Sequence, residues 1–135
     1  QIQVYPGVSG FLKRLGVNNI EVSIVTSKHQ QRTLAIINEK FGDIEFNCIA
    51  CPESVELGRG KPFPDQLLLA SEKSGISLAN TVYIGDMEID RLVAEAANCR
   101  FIFADWGYGT SNMDNCLSYK SVDDLANFIF GQGII

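Results

Sequence analysis

The sequence predicts an α/β fold: a three-layer, Rossmann-like parallel sheet with helices on both faces. Two observations carry that expectation. Short β-rich apolar runs alternate with stretches of helical periodicity, which is the pattern of parallel β-α-β units. Thr26 and Gly85-Asp86 each stand directly after such a run, at the strand end where open parallel sheets collect ligands.

The elements follow in order. Val8 to Leu15 reads as a short helix, with Pro6 near its start and Gly16 just past its end. Glu21 to Thr26 reads as a strand built on Val22-Ser23-Ile24-Val25. From Lys28 to Phe41, Leu34, Ile37 and Phe41 share one helical face, and Gly42 supplies the stop. Phe46 to Ala50 is a second strand. Pro64 to Ser74 is a helix opened by Pro64-Asp65 and closed by Gly75. Thr81 to Ile84 is a strand, followed by a helix from Ile89 to Ala97 that buries Leu92, Val93 and Ala96. Arg100 to Ala104 is a further strand, and Gly107 to Asn115 a loop. The last helix runs from Val122 to Phe130, with Leu125, Ala126 and Ile129 on one side. Ser121 caps it, and Asp124 occupies the capping-box position.

Composition narrows the function. A chain of 135 residues holds a single domain, residues 1–135, with one core. Its 46% hydrophobic and 20% charged residues are those of a globular protein. Net charge is −5 and no basic cluster exceeds Lys13-Arg14, so the footprint of a nucleic-acid binder is missing. No apolar run approaches the roughly 18 residues of a membrane span, and the first residues do not form a signal peptide. The expected location is cytoplasmic. Gln1 in place of Met points to a processed or excerpted chain. Of the four cysteines, Cys48 and Cys51 have C-x-x-C spacing, but Cys99 and Cys116 form no second pair. Reduced, mostly buried thiols are expected, not a zinc site.

Four places carry candidate chemistry. Asp86 ends an apolar strand, where its carboxylate suits Mg2+, a cation that takes one or two carboxylates plus substrate phosphate. It also fits a helix N-cap. Asp90 lies one turn on and reads either as a second metal-site acid or as a first-turn acid favoured by the helix dipole; Glu88 reads as solvated. Thr26, with the backbone N–H groups of Ser27 and Lys28, can grip phosphate oxygens, and equally can cap the next helix. Lys61, between Gly60 and Pro62, sits on a constrained turn where an ammonium offsets phosphoryl charge. His29, the only histidine, lacks a companion nucleophile. Trp106-Gly107-Tyr108-Gly109 reads as a packing loop at the rim.

With those residues in hand, the chain resembles the haloacid dehalogenase-like (HAD) hydrolase superfamily, in its phosphoglycolate phosphatase-like branch. The resemblance runs from Tyr5-Pro6-Gly7-Val8 to about Gly109. Thr26 matches the second family motif, Lys61 in Gly-Lys-Pro-x-Pro-Asp the third, and Gly85-Asp86-x-x-x-Asp90 the fourth. Trp106-Gly107-Tyr108-Gly109 is similar to that branch as well. The resemblance implies a magnesium-dependent phosphatase that hydrolyses a small phosphorylated metabolite through an aspartyl-phosphate. In it Thr26 binds phosphoryl oxygens, Lys61 offsets charge and Asp86 holds the metal.

The first family motif, an Asp-x-Asp that brings the nucleophile and the acid/base, is absent: none of the eight aspartates is spaced that way. So is the helical cap usual in this branch. In the family, the nucleophile strand lies between the strands ending at Thr26 and Asp86. Its absence implies a slot of roughly 10 Å, two inter-strand spacings, within the sheet. A preceding segment fills it, or a partner segment completes the sheet, or the sheet has closed and lost activity. The alternative to an enzyme is therefore a non-catalytic HAD-like binding or interaction domain. The order Thr26, Lys61, Asp86 is the reverse of a response-regulator receiver domain, and the acidic pair argues against a metal-free dehalogenase.

Overall fold

The computed structural model describes residues 7–105 and 117–131. The Trp106-Gly107-Tyr108-Gly109 motif, the loop from Gly107 to Asn115, Cys116 and Pro6 lie outside them.

Helix α1 (Val8–Val17) starts after Gly7, whose φ of 85° is left-handed. Gly16 does not end it. The helix runs one residue further, and the stop falls at Asn18-Asn19, where Asn19 takes the left-handed φ of 59° and its N–H bonds Gly16 O. Strand β1 (Ile24–Val25) and strand β2 (Ile49–Ala50) pair in parallel. Both are shorter than their apolar runs suggest, and among the described residues each pairs with the other alone. Between them, α2 (Gln30–Lys40) buries only Thr33 and leaves Leu34 exposed, contrary to the predicted apolar face. Gly42 does sit just past its end, and a Cβ there would meet Asn38 O at 3.0 Å.

Helix α3 (Asp65–Ser74) ends where expected, at Gly75 with φ 73°. Strand β3 (Val82–Gly85) leads into α4 (Glu88–Ala96), whose buried residues are Asp90, Val93 and Ala94. The predicted face of Leu92, Val93 and Ala96 is turned by about one residue: Leu92 and Ala96 are exposed, and Ala97 is buried. A charged residue placed on the inner stripe defeats a reading based on apolar spacing alone. Strand β4 (Arg100–Ala104) pairs in parallel with β3 and with β5 (Leu117–Tyr119), a strand the sequence reading did not foresee. Helix α5 (Val122–Gly131) closes the described chain, and Ser121 Oγ caps it by accepting from Asp124 N–H at 3.1 Å.

Strand residues alternate between two apolar clusters, as a sheet covered on both faces requires. Val82, Ile84 and Ile102 join Phe11, Leu15 and Leu125 from α1 and α5. Tyr83 and Phe101 join Leu67 of α3 and Val93 of α4 on the other side. The three layers are therefore as predicted.

The sheet itself is in two pieces, β1-β2 and β3-β4-β5. Between β1 and β3 lies a cavity of about 720 Å³, flanked by Ser23, Ile24 and Val25 on one side and Val82, Tyr83 and Ile84 on the other. Among the described residues no strand fills the expected slot. The two halves have not closed on each other.

Leu125 is 1% exposed and Leu57 is 99% exposed, so truncating them separates core from surface. Leu125→Ala should cost about 2–5 kcal/mol in urea denaturation, and Leu57→Ala no more than about 0.5 kcal/mol.

Candidate active site at the strand ends

Three stretches meet at the carboxyl ends of β1 and β3. Thr26 directly follows β1, and its N–H donates to Ala50 O at 3.0 Å. Its Oγ1 accepts from Lys28 N–H at 3.1 Å, forming a side-chain turn. Helix α2 therefore starts at Gln30, with His29 as its N-cap residue. Glu53, from the turn after β2, caps that helix across the chain: Oε1 accepts from Gln30 N–H at 3.1 Å, and Oε2 stands 3.3 Å from His29 Nδ1. The expected grip by a helix N-terminus at Ser27 and Lys28 is thus altered. Lys28 N–H is engaged by Thr26, and the first helical turn is served by a carboxylate.

Lys61 rides on a loop closed by a fork. Arg59 donates from Nε and Nη2 to the two oxygens of Asp65 at 3.0 and 2.8 Å, and its guanidinium lies 4.1 Å from the Phe63 ring centroid. The Arg59 guanidinium holds the Asp65 carboxyl below the usual carboxylate range. The Lys61–Pro62 peptide is cis. From the loop that the Arg59–Asp65 fork closes, the Lys61 ammonium reaches inward and meets Asp90 Oδ1 at 2.5 Å.

Asp90 is the junction. It is 4% exposed. Oδ1 accepts from Lys61 Nζ and, at 3.2 Å, from the Tyr83 hydroxyl. Oδ2 accepts from the N–H groups of Asp86 and Met87, each at 3.2 Å. Four donors surround one buried carboxylate. This approach needs Gly85: a Cβ there would fall 2.4 Å from Asp90 Cβ. Tyr83 Oη also lies 3.5 Å from Val25 O, spanning from β3 to β1 beside Thr26. Burial, then the Asp90 charge, push the Tyr83 phenol well above its ordinary pKa.

The geometry thus brings Lys61, Asp90 and the Asp86 backbone into contact and ties Thr26 to them through its neighbour Val25. Asp86 is half-buried at the tip of β3. Among the described residues no three His, Cys, Asp or Glu side chains group to hold a metal. Asp90, expected as a second metal-site acid, pairs with the Lys61 ammonium at 2.5 Å. Asp86 remains the candidate ligand. One protein carboxylate fits magnesium, which keeps waters and takes phosphate oxygens.

Sequence reasoning missed Tyr83, Gly85 as a point of close approach, and Gln66. Gln66 is fully buried, and its Nε2 donates to Thr26 O at 2.7 Å and Ala50 O at 2.8 Å. The available signal was a polar residue beside Leu67 and one turn before Ala70, on the helix face that is buried.

Removing one partner of the Lys61–Asp90 pair strands a buried charge. Lys61→Met should cost about 3–5 kcal/mol in urea denaturation. The double variant Lys61→Met/Asp90→Asn should cost less than the sum of the singles, by about 1–3 kcal/mol. Gly85→Ala, which forces Asp90 aside, should cost about 1–3 kcal/mol by the same measurement.

Residues 1–104 match the haloacid dehalogenase-like hydrolase family. A phosphoglycolate phosphatase of Xanthomonas campestris is 31% identical over 121 residues, 90% of this chain and 53% of that protein. Phosphoglycolate phosphatase 1 of Pseudomonas aeruginosa is 31% identical over 106 residues, 78% of this chain and 38% of that protein. The chain spans about half the length or less of these relatives. The crystal structure of a HAD-superfamily hydrolase from Ehrlichia chaffeensis superposes with a TM-score of 0.82 at 28% identity, covering 96% of this chain and 58% of that one. The order of the three motifs, their meeting at the strand ends and the match over most of the length agree: this chain belongs to the haloacid dehalogenase-like hydrolase family.

Proposed function

We propose that this chain supplies the phosphate- and metal-handling half of a magnesium-dependent phosphatase that hydrolyses a small phosphomonoester. The observation that carries this reading is the open slot. It runs between β1 and β3, and its lining stops at Val25 and Ile84, one residue before Thr26 and two before Asp86. An extended segment seated there, parallel to both strands, pairs both exposed edges and delivers its last residues to this cluster. An aspartate at that point is the nucleophile the chain itself lacks.

Each residue then has a part. The Thr26 hydroxyl binds phosphoryl oxygens, joined by the N–H of Ser27. Lys61 sets positive charge between the incoming nucleophile and the transferring group. Asp90 orients that ammonium through the 2.5 Å contact and orients Asp86 through its backbone N–H. Asp86 would hold magnesium, which when bound offsets charge on the phosphoryl oxygens. Attack by the aspartate on phosphorus breaks the ester P–O bond, and the departing oxygen takes a proton from the acid/base that comes with the nucleophile and leaves as the alcohol. Water then cleaves the aspartyl-phosphate to release phosphate and restore the carboxylate. The Xanthomonas and Pseudomonas relatives, named as phosphoglycolate phosphatases, make 2-phosphoglycolate the first substrate to test.

A non-catalytic binding domain is the reading favoured if no nucleophile enters the slot, since the described lining offers only Glu21 as an acid. Kinetics on the full-length protein separate the two. With p-nitrophenyl phosphate or 2-phosphoglycolate, turnover should require added Mg2+ and stop with EDTA. Asp86→Asn should lower kcat/KM at least about 100-fold. Turnover indifferent to EDTA, or none with any phosphomonoester, sinks the phosphatase.

A further inference from the structure

We propose that Gln66 is a positioning residue that fixes Thr26 against the Lys61 loop by replacing a ladder donor that Pro52 cannot provide. The phase of the β1–β2 ladder is set by Ile24 N–H donating to Cys48 O at 2.9 Å and Thr26 N–H donating to Ala50 O at 3.0 Å. In a parallel ladder of that phase, the next donor along is the N–H of residue 52, aimed at the Thr26 carbonyl. Residue 52 is proline and has no N–H. The Thr26 carbonyl is instead met by Gln66 Nε2 at 2.7 Å, and the same amide reaches Ala50 O at 2.8 Å. One side chain finishes both strand ends.

Its position makes this consequential. Gln66 lies in the first turn of α3, next to Asp65, which Arg59 grips to close the Lys61 loop. A shift of Gln66 therefore moves Thr26 relative to Lys61. Packing does not explain the residue. Its Oε1 is buried without a partner among the described residues, a state that costs stability. Methionine fills the same space with no such atom. What methionine lacks is the two donors.

The proposal rests on the phosphate-binding reading of Thr26 and Lys61, and its test can fail separately. Gln66→Met and Gln66→Glu are made in the full-length protein. Thermal unfolding, KM and kcat for p-nitrophenyl phosphate, Ki for inorganic phosphate, and hydrogen exchange at the Thr26 amide are measured. Gln66→Met should unfold cooperatively, yet raise KM and Ki about 10-fold or more with a smaller change in kcat. Exchange at Thr26 should accelerate relative to Leu67. Gln66→Glu should fare worse than Gln66→Met, because a carboxylate there faces two carbonyl oxygens. Should Gln66→Glu fail to fold, Gln66→Met decides. Wild-type KM and Ki within twofold in folded Gln66→Met, or unchanged Thr26 exchange, overturns the proposal. If the wild-type protein neither hydrolyses phosphomonoesters nor binds phosphate, the phosphatase reading falls and the exchange measurement alone judges Gln66.

Discussion

A carboxylate removed from water must have its charge and lone pairs answered, or it takes up a proton instead. Asp90 is answered on both oxygens by partners drawn from three places in the chain: Lys61 from the loop before α3, Tyr83 from β3, and the two amides that begin α4. Buried pairs of this kind add little net stability over an apolar core, but losing one partner is costly. Their effect is on uniqueness. The ammonium, the strand end and the helix start can satisfy this one oxygen pair in only one mutual arrangement. The same feature lets Asp86 follow Gly85 directly at the sheet rim.

The open slot is the complement of that rigidity. A strand edge leaves a row of N–H and C=O groups without partners, and apolar flanks around it add exposed hydrophobic surface. Here two such edges face one another across a single cavity. The helices on both faces and the Tyr83 hydroxyl near Val25 hold the two halves in place around it. A pre-shaped opening of this kind costs less to fill than one that must first be prised apart, because its two edges already stand apart.

Much of this was legible in the chain. Helices stop where Gly42 and Gly75 predict, and the apolar runs before Thr26 and Asp86 do form parallel strands. What failed has physical causes. The stripe of α4 was misplaced because Asp90, a charge, belongs to the buried face. Strand β5 was missed because Leu117-Ser118-Tyr119 is too short to show a period. The site's residue types were visible, but their pairing was not: nothing in the spacing of Lys61 and Asp90 says that they touch. Gln66 read as an ordinary helix residue, since Pro52 gives notice of a missing donor only once strand register is known.

Tyr83 has a consequence of its own. A phenol can donate to Asp90 only while it keeps its proton, and burial together with the Asp90 charge raises the pH at which it would let go. Ordinary tyrosines ionise near pH 10, so this one stays neutral through an alkaline range in which they turn anionic. The junction at Asp90 thereby gains no second negative charge as the medium becomes basic.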